Sequence, residues 1–246
     1  MSRHWKILLF GALCLALSAF FLAIMRPPGG RSSAPGQDWP WQVTRVRDGA
    51  TITVFGLTLG ESTVRDAVNK LGRRYELGLF QDQADRLSLE AYFRDAVVGG
   101  LNARLVLSAQ LPAELLDAIK THAGSGQSTV AGGRRYPVAA ADHELVLGAV
   151  ITAITYLPAV EFDAGLVRKR FGEPAERIAA KDGAHWLYPA LGLDLLLGDN
   201  GESLLQYVPP PEFEQRLRAP LRNREEKEHD DTARSIRRDG QSHRPQ

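Results

Sequence analysis

Cysteine is almost absent from this chain of 246 residues, which has one, Cys14, inside an apolar N-terminal run. The rest of the chain therefore has no thiol with which to form a disulfide or a cysteine-ligated metal site. An excess of charge is also missing, because 30 Lys and Arg residues are balanced by 29 Asp and Glu residues. This near-neutral balance gives no electrostatic reason to expect a nucleic-acid partner.

Recognisable catalytic and metal-binding motifs are missing too. None of the six histidines belongs to an HExxH pattern, and the GSG stretch at 124–126 lacks the spacing of a nucleophile elbow. The DHE stretch at 142–144 is typical of a solvated loop, and His185 beside Trp186 is typical of a strand with a half-buried tryptophan. We therefore predict no enzymatic activity, no cofactor and no metal, and we assign no catalytic, cofactor-binding or metal-binding residue.

One long apolar run is present, the uncharged 19 residues Ile7–Met25. As a helix it would be roughly 28 Å long, close to the roughly 30 Å hydrocarbon core of a bilayer. We predict that it is an uncleaved signal-anchor that crosses the inner (cytoplasmic) membrane once. Residues 1–6 would then lie in the cytoplasm and the body in the periplasm.

Other fates of this run remain open. A peptidase could cut after the small residues of Ala16–Ser18, or Cys14 could carry a lipid. Two basic side chains lie on each side of the run, so their count does not set the orientation, and a cytoplasmic body is the alternative. We favour export because a linker rich in Pro, Gly and Ser joins the run to the body, as in many tethered exported domains.

The rest of the chain divides into a linker, two folded units and a tail. Residues 26–42 form the linker, and residues 219–246 form a tail of mixed charge that we expect to be disordered or only transiently helical. Between them, 43–123 and 146–218 have the pattern of two units joined by residues 124–145. The predicted fold class is α+β, with one N-terminal transmembrane helix followed by two small helix-on-antiparallel-sheet units.

The two units show the same order of signals at an offset of 100 residues. A helix predicted after Ser62 or Thr63 ends at Gly72, and a second begins after Asp163 and ends at Gly172. Each is followed by strand-like segments with a turn, GG at 99–100 in the first and DNG at 199–201 in the second. A helix led by proline closes each unit. We interpret this match as an internal duplication.

A short helix that ends in Leu-Gly at 71–72 or Phe-Gly-Glu-Pro at 171–174, followed by an antiparallel sheet, resembles the SmpA/OmlA-type small outer-membrane lipoproteins. That family is associated with β-barrel assembly. Two such units in tandem also resemble the architecture of the β-lactamase-inhibitor proteins. The resemblance covers residues 50–80 and 155–207, and it implies a fold and a binding role in the envelope but no particular residues. The lipidated cysteine of the first family and the disulfides of the second have no counterpart here.

These observations predict a non-enzymatic, membrane-anchored envelope protein whose exported body binds another protein or supports envelope assembly. The expected partners are an envelope protein and, through residues 7–25, the membrane, but no nucleic acid. Two alternatives remain: an envelope enzyme or small-ligand binder with its site between the two units, and a tether that acts through its charged tail. Trp39 and Trp41, which follow the linker, are predicted to pack on the body, with the membrane surface as the alternative.

Overall fold

The computed structural model describes residues 38–129 and 132–224. The predicted cytoplasmic N-tail, the signal-anchor at 7–25, most of the linker and most of the charged tail lie outside those residues. In the part of the chain that is described, no helix is both long enough and apolar enough to cross a bilayer.

The described body contains thirteen strands, four α-helices and a last helical segment. The strands are β1 Thr44–Val46, β2 Thr51–Val54, β3 Leu57–Thr58, β4 Tyr75–Gln81, β5 Leu87–Val98, β6 Leu101–Gln110, β7 Gln127–Ser128, β8 Arg134–Pro137, β9 Val150–Pro158, β10 Glu176–Ala180, β11 Gly183–Tyr188, β12 Leu193–Gly198 and β13 Ser203–Tyr207. The α-helices are α1 Val64–Leu71, α2 Ala113–Ala123, α3 His143–Leu147 and α4 Ala164–Phe171. The last segment, called here the C-terminal helix, begins at Phe213, is π-helical over Glu214–Arg218 and is helical to Arg224.

Ten of the strands form one continuous antiparallel sheet, in the order β10-β11-β12-β13-β9-β6-β5-β4-β8-β7. The two halves of the chain meet at β9, which pairs with β6 on one side and with β13 on the other. Strands β1 to β3 form a separate three-stranded sheet.

The predicted fold class is therefore wrong. The body is mostly sheet, and the strands of both halves share a single sheet rather than forming two small units. The physical reason is β9, because it completes the hydrogen bonding of β6 in the first half as well as that of β13 in the second. The membrane helix of the predicted class lies outside the described residues.

Several local predictions are confirmed. Helix α1 begins after Thr63, whose hydroxyl accepts from the Asp66 N–H while the Asp66 carboxylate accepts from the Thr63 N–H, a capping box. Helix α4 begins after Asp163, whose carboxylate accepts from the Leu166 N–H. The GG and DNG turns lie between β5 and β6 and between β12 and β13. The bounds of α1 and α4 differ by 100 residues at both ends.

The main core lies between the large sheet and helices α1, α2 and α4, on what we call the front face of the sheet. The rings of Phe55, Tyr156 and Tyr207 meet there, with the Phe55 centroid 4.9 Å from that of Tyr156 and 5.8 Å from that of Tyr207. All three side chains are fully buried. This cluster joins the small sheet, through Phe55, to strands β9 and β13 of the large one.

A second, smaller core lies on the opposite, back face. The C-terminal helix packs there on β10, β11 and the end of β13, through the apolar side chains of Phe213, Leu217, Leu221, Ile178, Leu187 and Val208. Glu176 of β10 accepts from Arg222 Nη2 at 2.8 Å and forms an ion pair with Arg218 Nε at 3.0 Å, and these two pairs hold the end of the helix at the sheet edge.

Gly172, which ends α4, should be sensitive to any side chain. Its φ is 83°, a backbone conformation that L-residues rarely adopt, although a Cβ would meet nothing within 4 Å. We expect Gly172→Ala to lower the free energy of unfolding by about 1–3 kcal/mol, from backbone strain alone. Gly148→Ala is the control, because the φ of Gly148 is −80°, and it should change stability by less than about 0.5 kcal/mol. Equal effects in urea unfolding would contradict this assignment.

Candidate functional site

Over β4, β5, β6 and β8, the back face of the sheet carries polar and aromatic side chains. The described helices that contact these strands pack on the front face, and the C-terminal helix packs on the back face at the other end of the sheet. Because side chains alternate along a strand, β5 sends Leu89, Ala91 and Phe93 into the core and the residues between them to the back. We call the resulting surface the polar face, and its members are Glu76, Glu90, Tyr92, Arg94, Arg104 and Arg135.

The register of four strands brings these residues together. Glu76 of β4 lies opposite Tyr92 of β5, and Glu90 lies opposite Gly78. Gly78 has no side chain, and a Cβ there would come within 3.0 Å of the Phe80 ring and 3.3 Å of Arg135 Nε. The glycine therefore leaves room for the Arg135 side chain to lie on the sheet near Glu90.

Glu76 links three strands through two ion pairs. Its carboxylate accepts from Arg94 Nη2 at 3.3 Å and from Arg135 Nη2 at 3.2 Å. The side chains of Glu76 and Arg94 are 47% and 52% exposed, so water screens their pair strongly. Pairs of this kind stabilise a fold by no more than about 1 kcal/mol, so their main effect is to fix where the charges lie.

Glu90 is the buried acid of the polar face. It is 8% exposed, and burial raises its pKa from 4.5 to about 7, against the opposing effect of the Arg135 charge. Burial also raises the pKa of the neighbouring Tyr92 hydroxyl. A carboxyl that titrates near neutral pH inside a charged cluster is a feature shared with many functional sites.

Two His–Asp pairs occur elsewhere, and they are far apart in the topology. Nδ1 of His122 lies 3.0 Å from both carboxylate oxygens of Asp142, where α2 meets the turn before α3. Nδ1 of His185 lies 3.0 Å from both oxygens of Asp194, between β11 and β12. Within the described ranges, no group of three His, Cys, Asp or Glu residues is placed to hold a metal.

The first pair corrects the interpretation of the DHE stretch, and the second adds a partner to His185. The DHE stretch is not a solvated loop, because Asp142 is buried and His143 begins α3. The strand around His185 is confirmed, but its partner Asp194 was missed. The nine-residue spacing between them across two successive strands was the available signal, since diagonal neighbours on antiparallel strands lie within reach of each other; Asp194 is directly opposite Leu187, two residues from His185.

An open cleft with a volume of about 580 Å³ lies between α2 and β8. It is lined by Asp117, Lys120, Thr121, Gly124, Ser125, Gly126, Arg134 and Tyr136. The GSG stretch, predicted as a linker, is thus one wall of the cleft, and Gly126 lies so close to the Tyr136 ring that a Cβ would come within 2.6 Å of Cε1. The lining carries both signs of charge beside the C-terminal end of a helix, which disfavours anions. This arrangement selects no class of ligand.

Comparison of the chain with protein-family models, curated proteins and solved structures found no match. Function therefore has to be inferred from the geometry and charge of the described surfaces, among which the polar face is a cluster of ionisable groups that spans four strands.

The buried carboxyl gives a stability test with a defined sign. Because the pKa of Glu90 is higher in the folded protein than its ordinary 4.5, the folded state binds more protons between about pH 4.5 and 7, and stability falls as pH rises through that range. The wild-type protein should lose on the order of 2–3 kcal/mol relative to Glu90→Gln between pH 5 and pH 8.

Urea unfolding in detergent solution at the two pH values measures this difference. Glu114→Gln, at an exposed position on α2, controls for the removal of one carboxylate from the surface. If the difference in free energy of unfolding between wild type and Glu90→Gln is the same at both pH values, the assignment of a buried, titrating Glu90 is wrong.

Proposed function

We propose that this is a non-enzymatic, membrane-anchored envelope protein whose body binds another protein through the polar face. The observation that carries the proposal is the cross-strand cluster itself, in which Glu76, Arg94 and Arg135 are joined by ion pairs over a sheet surface. A sheet fixes the spacing of such groups, and a preorganised set of charges is suited to recognising a partner of complementary charge.

The composition of the polar face favours a protein partner. Its members include three arginines, Arg94, Arg104 and Arg135, beside Glu76 and the buried acid Glu90. Arginine and tyrosine are also enriched in protein interfaces, where both combine a large apolar area with polar groups.

The membrane anchor and the envelope location in this proposal come from the sequence. The apolar run at 7–25 has the length of a membrane span, and the SmpA/OmlA-type resemblance associates the helix-then-sheet pattern with proteins of the envelope. These two inferences are independent of the polar face, so each can fail without the other.

The alternative of an enzyme with a site between the two halves has less support. The halves meet where β6 pairs with β9, and on the back face of that junction Val106 lies opposite Thr155 and Arg104 opposite Leu157. This set contains neither a carboxylate nor a histidine that could serve as a general base.

Site-specific photocrosslinking in intact cells tests the proposal. A photoreactive residue in place of Arg94, which is half-exposed on the polar face, should yield a crosslink to one defined protein. The same residue in place of Glu114, on the opposite side of the sheet, is the matched control and should not yield that crosslink.

Charge reversal then tests the chemistry. Arg135→Glu, in the chain that carries the crosslinker at residue 94, should reduce the yield at least tenfold, because it breaks the ion pair with Glu76 and reverses one of the charges that the face presents to its partner. Equal crosslinking from residues 94 and 114, or a yield that Arg135→Glu leaves unchanged, would contradict binding through the polar face.

A further inference from the structure

The described chain begins in a segment that is firmly attached to the body. The Tyr207 hydroxyl, which is fully buried, donates to the Pro40 carbonyl at 2.8 Å. Trp39 lies against the β5–β6 turn, where a Cβ on Gly99 would come within 3.0 Å of the Trp39 Cα. Residues 38–42 are predicted to be the end of the linker, but these contacts show that they pack on the body. They fix the point where the chain joins the body and the surface around that point.

Two tryptophans form a stacked pair at this point. The ring centroids of Trp39 and Trp41 are 5.0 Å apart with an angle of 10° between the planes, and both residues are half-buried. The ring centroids of Trp41 and Phe162 are 6.4 Å apart, and the Arg170 guanidinium lies 4.5 Å from the Trp41 ring centroid. The prediction that these tryptophans pack on the body is confirmed, and their partial exposure leaves aromatic surface in contact with solvent.

The C-terminal ends of α1 and α4 flank the tryptophan pair and are both basic. Lys70 of α1 pairs with Asp38 at 2.8 Å, and Arg170 of α4 covers Trp41. Six basic residues lie at these two ends: Lys70, Arg73, Arg74, Arg168, Lys169 and Arg170. Three of them have a carboxylate partner, in Asp38, Asp95 and Glu173. Lys169, Arg170 and Arg73 have no carboxylate partner in the described part of the chain. Glu161 and Asp163, in the loop before α4, add two carboxylates, so the six basic residues exceed the five acidic ones by one charge.

An exposed apolar side chain lies beside this surface. Val160, in the loop between β9 and α4, is 43% exposed, and it is the one exposed large hydrophobic residue among those that the structure describes. It is two residues from Phe162, the partner of Trp41. Exposed apolar, aromatic and basic groups therefore occur together around the point where the chain enters the body.

We propose that this surface, defined by Trp39, Trp41, Val160, Lys169 and Arg170, lies against a bilayer rich in anionic lipid headgroups. Tryptophan favours the boundary between headgroups and acyl chains, and Lys and Arg are attracted to an anionic leaflet. This inference rests on the membrane-anchored part of the proposed function. Twelve residues separate Met25 from Asp38, and a chain of that length spans at most about 40 Å. The surface is thus the part of the described body that the anchor would keep nearest to the membrane.

Tryptophan quenching by brominated lipids tests this inference. The full chain is reconstituted into vesicles of brominated phosphatidylcholine alone, or with one phosphatidylserine for every two phosphatidylcholines. Trp5 precedes the predicted span and Trp186 is 5% exposed, so neither should respond to the added anionic lipid. Quenching should be stronger in the anionic vesicles because Trp39 and Trp41 approach the acyl chains, and high salt should remove the difference.

A pair of double variants identifies the charges responsible. Lys169→Glu with Arg170→Glu should remove at least half of the composition-dependent quenching. Lys120→Glu with Arg134→Glu changes the net charge by the same amount at the cleft, and it should leave the quenching as in the wild type. Lys169→Gln with Arg170→Gln is the milder pair, to be used if circular dichroism shows that charge reversal perturbs the fold; it should remove part of the same difference.

Equal quenching in the two kinds of vesicle, or equal loss in the two double variants, would overturn the inference.

The crosslink from residue 94 reports on the proposed function separately. If the Lys169 and Arg170 variant loses that crosslink while lipid composition has no effect on quenching, the basic surface serves the protein partner and the lipid inference is wrong. If the crosslink never forms but quenching follows the expected pattern, the lipid inference stands and the polar face is not the binding surface.

Discussion

Strand β9 is the element on which the arrangement of the whole body depends. It pairs with β6 from the first half of the chain and with β13 from the second, so the backbone groups on both of its edges are satisfied within one sheet. A β-strand with an open edge exposes a row of hydrogen-bonding groups, and pairing β9 on both sides removes two such edges at once. Sheet, core and surfaces are continuous across the two halves for this reason.

The front face shows the consequence for packing. Tyr156 of β9 and Tyr207 of β13 lie on neighbouring strands, and Phe55 from the small sheet packs on both. Burial raises the pKa of both tyrosine hydroxyls. The Tyr207 hydroxyl then reaches Pro40, so the same cluster that joins the halves also fixes the start of the described chain. The core thereby fixes the position of the surface around Trp39 and Trp41.

The back face is divided by what covers it. At one end the C-terminal helix buries an apolar patch and is held at β10 by Arg218 and Arg222. At the other end, beyond β9, the strands carry the polar face, which includes a buried carboxyl and three arginines. The back face of one sheet thereby carries an apolar docking surface for its own helix and a cluster of charged side chains.

The sequence by itself determined the local elements. The caps at Thr63 and Asp163, the glycine stop at Gly172 and the turns between neighbouring strands follow from groups within a few residues of one another, and the structure has them where the pattern predicts. What only the tertiary structure decided is the pairing of β9 with β6 and the assembly of the polar face, in which Glu76 meets Arg135 across 59 residues of chain. No local pattern specifies such contacts, because a strand that can pair on either edge shows the same sequence alternation whichever neighbour it takes.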